Sequence, residues 1–189
     1  METDAGKWLR NSGIAFLKSI GVKEGQVVLD FGCGVGHYVI PAAKVVGEKG
    51  KVYALEKDSE TLGKLTQTAK SEGLNNIMPI RTLEELKTHL NGESIDLVLL
   101  YDVLHYMDSK ERRELYDNIH QFLRKDGILS VYPKHYESDD PCGNFSNLKL
   151  EDIIKEIESA NFKLEKKSFR KLMHDENYDK GSVLKFGVR

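Results

Sequence analysis

The chain has 189 residues, of which 40% are hydrophobic and 31% are charged, and its formal net charge is −2. This composition is typical of a globular chain and excludes a disordered one. The length allows one domain of ordinary size. The near-neutral charge also lacks the basic excess of a nucleic-acid-binding domain, so we expect no nucleic-acid partner.

The first residues are acidic, and no apolar run follows that resembles a secretory signal or approaches the ~18–20 residues of a membrane span. The two cysteines, Cys33 and Cys142, are far apart in the chain. We therefore expect a cytoplasmic protein with reduced thiols and no membrane span. We expect no metal site, because His135 and Cys142 have no second pair at ligand spacing.

Apolar periodicity predicts a helix over residues 3–20, inside an N-terminal helical cap of residues 1–20 that ends at Gly21. Five strands alternate with four helices after it, which predicts a parallel sheet with right-handed crossovers. The strands are predicted at about residues 26–31, 51–56, 77–81, 95–101 and 127–132. The helices are predicted at about residues 37–46, 59–72, 82–90 and 109–124.

The alternation changes after Tyr132. Residues 134–146 form a polar, irregular stretch that we expect to be a loop on the substrate side. Residues 147–160 show the periodicity of an amphipathic helix. A hairpin is then predicted, with strands at about 162–170 and 182–188 and a polar turn from Lys171 to Gly181.

The most informative segment is VVLDFGCGVG, residues 27–36. It combines a buried strand that contains Asp30 with glycines at alternate positions, Gly32, Gly34 and Gly36. Glycines let the backbone turn sharply and approach a ligand with no Cβ in the way. A strand, a glycine loop and a helix in this order predict a cofactor cradle at the carboxyl end of a strand.

Two carboxylates bear on which cofactor this cradle binds. Asp30 precedes the glycines, where it would repel a pyrophosphate and favour a ligand with an ammonium and a sulfonium group. The pattern therefore favours S-adenosylmethionine over NAD. Glu56 ends the second predicted strand and can accept hydrogen bonds from a ribose diol, which both ligands carry. The alternative is that Glu56 is a solvated residue before a helix capped by Asp58 or Ser59.

Four segments in order resemble one protein family over residues 14–133: VVLDFGCGVG, KVYALEKD, IDLVLLYDVLHYM and LRKDGILSVY. The chain resembles the class I S-adenosylmethionine-dependent methyltransferases, the Rossmann-like methyltransferase superfamily, as a small single-domain member spanning residues 1–189. The resemblance implies an α/β fold with three layers and a doubly wound, mostly parallel seven-stranded sheet. The last strand of this sheet is expected to be antiparallel and to lie beside the fifth.

The resemblance also implies a set of cofactor contacts. They are Asp30, Gly32, Cys33, Gly34, Gly36, Tyr38, Glu56, Lys57, Thr82, Leu83, Leu100 and Tyr101. The adenine site departs from the family pattern, because Arg81 or Thr82 stands about where many relatives have an acid. A backbone contact from Thr82 or Leu83, or a carboxylate from Glu84, would have to replace that acid.

The expected activity is direct in-line transfer of a methyl group to a small or medium-sized acceptor, with S-adenosylhomocysteine as the product. The chemistry requires no catalytic triad, since the cofactor carries the activated methyl group. His105 and His135 are candidates for a general base, although each has an ordinary structural explanation as a helix-start or loop residue. We expect residues 1–20 and 134–146 to bound the acceptor pocket. Two alternatives stay open: a cofactor-binding subunit without catalysis, and a methyltransferase of RNA or protein.

Overall fold

A computed structural model of the chain describes residues 3–90 and 92–189. The strands are β1 Val27–Phe31, β2 Lys51–Leu55, β3 Ile77–Ile80, β4 Ile95–Tyr101, β5 Leu123–Tyr132, β6 Phe162–His174 and β7 Asn177–Val188. The α-helices are α1 Asp4–Lys7, α2 Gly13–Ile20, α3 Val39–Val46, α4 Ser59–Ser71, α5 Leu83–His89, α6 Ser109–Phe122 and α7 Leu150–Glu158. Among these described helices, none is long and apolar enough to cross a membrane.

The strands form a seven-stranded mixed sheet in the order β3-β2-β1-β4-β5-β7-β6. Strand β7 runs antiparallel to β5, as the hairpin pattern predicts, while β1, β2 and β3 pair in parallel and so do β4 and β5. This confirms the predicted fold class. The chain divides into two compact units, Met1–Asn91 with Leu172–Asp179, and Gly92–Lys171 with Lys180–Arg189.

In the first unit, β1 and β2 are apolar runs whose side chains pack away from water. Val28, Leu29 and Val52 are each 0% exposed, as is expected of strands buried on both faces of a parallel sheet. The register pairs Asp30 with Ala54, so β1 and β2 end side by side. The functional side chains that follow these strands therefore leave the sheet close together.

The N-terminal helix is interrupted by one wide turn, which the periodicity did not predict. Trp8–Ser12 is a π-helical segment between α1 and α2. Trp8 is 1% exposed there, and a Cβ on Gly13 would lie 2.8 Å from its Nε1. The wide turn and the missing side chain together make room for the indole. Gly21 ends α2 with φ of 118°, which confirms the predicted cap.

The strand bounds differ from the expectation in β5 and in the final hairpin. Strand β5 begins at Leu123, four residues before the predicted start, and its pairing with β4 shifts register before Ile128. The predicted turn from Lys171 to Gly181 is wrong, because β6 extends to His174 and β7 resumes at Asn177. The polar side chains there lie on exposed strand ends. A strand exposed on both faces lacks the alternation of apolar and polar residues, so its sequence resembles that of a turn.

Residues 134–146 form an irregular segment, as predicted, but it is firmly packed. Tyr136 and Phe145 are buried, and Gly143–Phe145 forms a short 3-10 turn. The Cys142 amide donates to the His135 carbonyl oxygen at 3.1 Å. These contacts pack the segment beside the end of β5.

Helices α6 and α7 are joined by a buried ion pair. Arg112 is 3% exposed, and its Nε and Nη2 donate to the two oxygens of Glu156 at 2.7 and 2.6 Å. Its Nη1 donates to the Met107 carbonyl oxygen at 2.6 Å, and Tyr116 donates to Glu156 Oε1 at 3.1 Å. The carboxylate therefore depends on this guanidinium for the neutralisation of its charge.

Replacing Arg112 with alanine should destabilise the fold by about 3–5 kcal/mol, because Glu156 would keep a partly buried charge with no cation. Urea unfolding of the purified variant measures this loss. Arg113→Ala is the matched control on the same helix, since Arg113 makes an exposed pair with Asp117 and should cost less than about 1 kcal/mol. Equal losses of unfolding free energy in both variants would show that the Arg112–Glu156 pair stabilises the fold no more than an exposed pair does.

Candidate cofactor site and proton-transfer cluster

The glycine loop leaves β1 in a conformation that only glycine adopts readily. Gly34 and Gly36 have φ of 52° and 94°, in the left-handed region that L side chains rarely occupy. A Cβ on Gly36 would collide with Leu65 Cδ1, whereas a Cβ on Gly34 would meet no described atom within 4 Å. Gly36 is therefore required for packing, and Gly34 leaves open space beside the loop.

The loop is tied to the end of β2 by its own amides. The Gly32 and Cys33 amides both donate to the Leu55 carbonyl oxygen, at 2.8 and 3.0 Å. Glu56 then accepts from the Gly34 amide through Oε2 at 3.1 Å and from the Asp58 amide through Oε1 at 3.0 Å. The structure thus brings the predicted ribose ligand, Glu56, into direct contact with the predicted glycine loop.

Asp30 is buried beside this loop, with 2% of its surface exposed. Burial raises the pKa of its carboxyl group from 3.8 to about 7, and the negative charge of Glu56 adds to this effect. No described group hydrogen-bonds to Asp30 Oδ2. A buried carboxylate oxygen without a partner is the environment in which a cation or a proton is favoured.

Two other predicted contacts near the loop have packing roles. Cys33 is buried, and burial raises the pKa of its thiol far above the ordinary value, so the thiol stays protonated and unreactive. Tyr38 is 8% exposed, and its hydroxyl donates to the Met173 carbonyl oxygen at 2.8 Å. A cofactor contact by either side chain stays a prediction.

The end of β3 carries a carboxylate that the sequence reading missed. Thr82 caps α5 by accepting from the Glu85 amide at 3.1 Å, while the Glu85 carboxylate accepts from the Arg81 amide at 2.8 Å. This is the reciprocal pattern of a capping box, and the spacing T-x-x-E at residues 82–85 was its signal. Glu85, rather than Glu84, holds an acid at this position. Lys57 is exposed and Leu83 is half-buried.

The helical cap, residues 3–20, packs against the tip of the final hairpin, Leu172–Asp179. The Trp8 ring lies 6.2 Å from the Tyr178 ring and 5.3 Å from the Tyr38 ring, and its Nε1 donates to the His37 carbonyl oxygen at 2.8 Å. The Tyr178 hydroxyl donates to Ser12 Oγ at 3.1 Å. The hairpin tip therefore packs on the cap and the start of α3. An acceptor pocket bounded by residues 1–20 and 134–146 stays a prediction.

In the second unit, Leu100 and Tyr101 end β4 with 0% and 5% exposure. The Tyr101 hydroxyl lies 2.8 Å from Ser130 Oγ, and its ring packs edge-on against Tyr132 at 6.0 Å. Both side chains are thus part of the sheet core at its carboxyl end. Their predicted contact with a cofactor stays a prediction.

Asp102, His105 and His135 come together just beyond the ends of β4 and β5. Asp102 Oδ1 lies 3.5 Å from His105 Nδ1 and 3.5 Å from His135 Nε2. The two imidazole rings are 4.4 Å apart between centroids. The structure brings together the two histidines that the sequence singled out, and it adds Asp102, the acid directly after β4.

A buried lysine follows β5 and was also missed. Lys134 is 3% exposed, and its Nζ donates to Asp139 Oδ1 at 2.9 Å. A lysine is rarely buried without a carboxylate partner, and here the partner comes from five residues further along the same segment. The pair helps to hold residues 134–146 against the end of β5.

The model of a family described as "Methyltransferase domain" matches residues 22–180. A probable cobalt-precorrin-6B C(15)-methyltransferase from Saccharolobus solfataricus is 36% identical over 66 residues, which are 34% of this chain and 33% of that protein. A demethylmenaquinone methyltransferase from Lactobacillus johnsonii is 24% identical over 140 residues, 74% of this chain and 55% of that protein. The chain spans about a third to about half of the length of these relatives.

Among solved structures, a SAM dependent methyltransferase from Aquifex aeolicus superposes with a TM-score of 0.76 at 22% identity. The match covers 99% of this chain and 95% of that chain. This likeness shows a shared fold. Together with a family match over residues 22–180, it leads to one conclusion: the chain belongs to the methyltransferase domain family.

Proposed function

We propose that the chain binds S-adenosylmethionine at the glycine loop and transfers its methyl group to a small acceptor. The observation that carries this proposal is Asp30, a buried carboxylate with an unpartnered oxygen beside an open glycine loop. An ammonium group at this place would supply the missing positive charge. When bound, S-adenosylmethionine supplies a methyl group already activated on a sulfonium centre.

The charges at the loop favour this cofactor over a dinucleotide. Asp30 and Glu56 place two carboxylates around Gly34, and Glu56 already accepts the Gly34 amide. A pyrophosphate would need free amides and no nearby anion. Glu56 keeps lone pairs for the ribose hydroxyls, because each carboxylate oxygen accepts more than one hydrogen bond.

The names of the relatives support a small acceptor, since one is named for a cobalt-precorrin and the other for a demethylmenaquinone. The formal charge of −2 gives no general attraction for nucleic acid. The chain's own residues then have to orient the acceptor and exclude water, and good orientation alone supplies up to roughly 7–11 kcal/mol.

Calorimetry with S-adenosylhomocysteine, S-adenosylmethionine and NAD tests the cofactor assignment. Binding of both sulfur compounds and no binding of NAD is the expected result. Transfer of a labelled methyl group to components of a small-molecule extract then tests for catalysis. Cofactor binding without any transfer to small molecules would instead favour a non-catalytic subunit or a macromolecular acceptor.

Glu56→Ala should weaken S-adenosylhomocysteine binding by about 10- to 150-fold, since a hydrogen bond to a charged group is worth roughly 1.5–3 kcal/mol. Calorimetry gives the affinity, and a melting curve shows whether the variant is folded. Glu60→Ala on α4 removes a nearby exposed carboxylate and should bind normally. A folded Glu56→Ala protein with full affinity would contradict the ribose role.

Asp30→Asn should stabilise the free protein at pH 8 much more than at pH 5. The pKa of Asp30 is about 7 in the fold and near 3.8 in an unfolded chain. The folded state therefore holds an extra proton between these values, and stability is lost as pH rises toward 7. Asparagine removes that loss, which amounts to about 2–4 kcal/mol above pH 7.

Urea unfolding of both proteins at pH 5 and pH 8 measures the difference. Asp126→Asn, at an exposed residue in β5, controls for the loss of one negative charge. The same variant should bind S-adenosylhomocysteine more weakly, because it removes the partner of the ammonium group. A stability gain that does not depend on pH would rule out the titration of Asp30 as its cause.

A further inference from the structure

We propose that strand β6 is a docking surface for another protein. The surface is the basic edge, residues 163–171, all of which belong to the second unit. Its occupant is an extended, acidic segment of a partner protein, which adds to the sheet as a further strand. The proposal does not depend on the cofactor assignment, because it concerns a different part of the chain.

Strand β6 is the last strand in the sheet order, and β7 is its neighbour. An edge strand presents a row of backbone N–H and C=O groups that no strand of the sheet pairs with. At 13 residues, β6 is also far longer than the usual strand of about 5–6 residues. A long open edge of this kind is the template that peptides use when they bind by strand addition.

One hydrogen bond shows which backbone groups of β6 face outward. The Leu164 amide donates to Glu158 Oε1 at 3.2 Å, so it points away from β7. Strands β6 and β7 are neighbours joined by two residues and therefore pair antiparallel. In such a pair, alternate residues turn both their N–H and C=O groups to the same side. The backbone groups of Lys166, Ser168 and Arg170 therefore face outward too.

The outer part of β6 is exposed on both of its faces. Successive side chains of a strand point to opposite faces, and Lys166 and Lys167 are both exposed, as are Arg170 and Lys171. Phe169 lies among them and is 68% exposed. The strand therefore offers a partner one apolar ring within a stretch of charged side chains.

The basic edge has a local excess of positive charge. Five of its nine residues are basic and one, Glu165, is acidic. The Glu165 carboxylate already pairs with Lys185 at 3.0 Å. Among the residues that the structure describes, none forms an ion pair with Lys166 or Arg170. The edge therefore attracts an acidic partner although the whole chain has a formal charge of −2.

The same charges disfavour two other occupants. Antiparallel pairing of two copies of β6 about Ser168 would place Lys166 of each copy opposite Arg170 of the other, and like charges directly opposite are destabilising. A nucleic acid would gain from the positive charge. Its phosphates would, however, meet the outward carbonyl oxygens, which repel anions. A peptide strand uses both the amides and the carbonyls of the row.

The register predicts a pattern in the partner segment. An antiparallel strand would place acidic residues opposite Arg170 and Lys166, which are four positions apart. The residue opposite Phe169 would be apolar. Lys167 already pairs with Glu151 at 3.4 Å, so the residue opposite it need not be acidic. The expected pattern is therefore an acid, an apolar residue, two unrestricted residues and a second acid.

The peptide TEVTVET has this pattern and is the probe for a ¹⁵N–¹H NMR titration of the purified full chain. Saturable amide shifts centred on Lys166, Ser168 and Arg170 are expected. Added salt should weaken the binding, because exposed charges are screened. The control peptide TKVTVKT should cause no shifts. No binding of TEVTVET, or shifts centred outside β6, would overturn the proposal.

Backbone N-methylation of the probe distinguishes strand addition from attraction between charges. A methyl group on the fourth residue, whose N–H faces Ser168, should weaken binding by about 10-fold or more, since it blocks a hydrogen bond of the ladder. A methyl group on the third residue, whose N–H faces away, should leave the affinity nearly unchanged. Equal affinities of the two methylated peptides would contradict strand addition.

Arg170→Glu should weaken TEVTVET binding by about 2- to 30-fold, because it replaces a cross-strand pair of opposite charges with one of like charges. Lys125→Glu, at an exposed lysine of β5, makes the same change in net charge and should bind normally. Equal losses in the two variants would show a general effect of charge and refute the docking site. Tighter binding of a uridine 12-mer than of TEVTVET at the same amides would replace the peptide with a nucleic acid as the occupant.

Discussion

Burying a carboxylate at the end of a strand costs free energy, because the charge loses its contact with water. The glycine loop and the end of β2 surround one such carboxylate. Asp30 is 2% exposed and lies beside a second carboxylate, Glu56. Each raises the free energy of the other's charge, and burial adds to this effect, so a proton on Asp30 is favoured. A cationic ligand would reverse this preference and stabilise both charges. The two neighbouring carboxylates that destabilise the ligand-free protein would therefore also stabilise a bound cation.

The carboxylates of the two units have different surroundings. In the first, Glu56 is held by the Gly34 and Asp58 amides and provides fixed acceptors. In the second, Asp102 Oδ1 lies 3.5 Å from a ring nitrogen of His105 and 3.5 Å from a ring nitrogen of His135. Fixed acceptors such as those of Glu56 suit the recognition of a ligand.

Much of the fold and of the glycine loop was predictable from the sequence. Apolar runs indicate buried strands, and glycines indicate sharp turns, and both depend mainly on neighbouring residues. The loop at Gly34 and the acid at Glu56 follow from spacing, and both were found where a strand ends. The positions that escaped prediction depend on contacts between distant segments. The Glu85 carboxylate accepts from the Arg81 amide across the start of α5. Asp102 lies beside His135, which follows the next strand, β5. The hairpin was predicted, but its length was not, since β6 is largely exposed and charged.

The position of Trp8 has a practical consequence. It is the only tryptophan in the chain, and its indole donates to the carbonyl oxygen of His37, the residue directly after the glycine loop. Indole emission depends on the hydrogen bonds and polarity around the ring. The protein therefore contains its own optical reporter, and a fluorescence titration would register a shift of the loop without any added label.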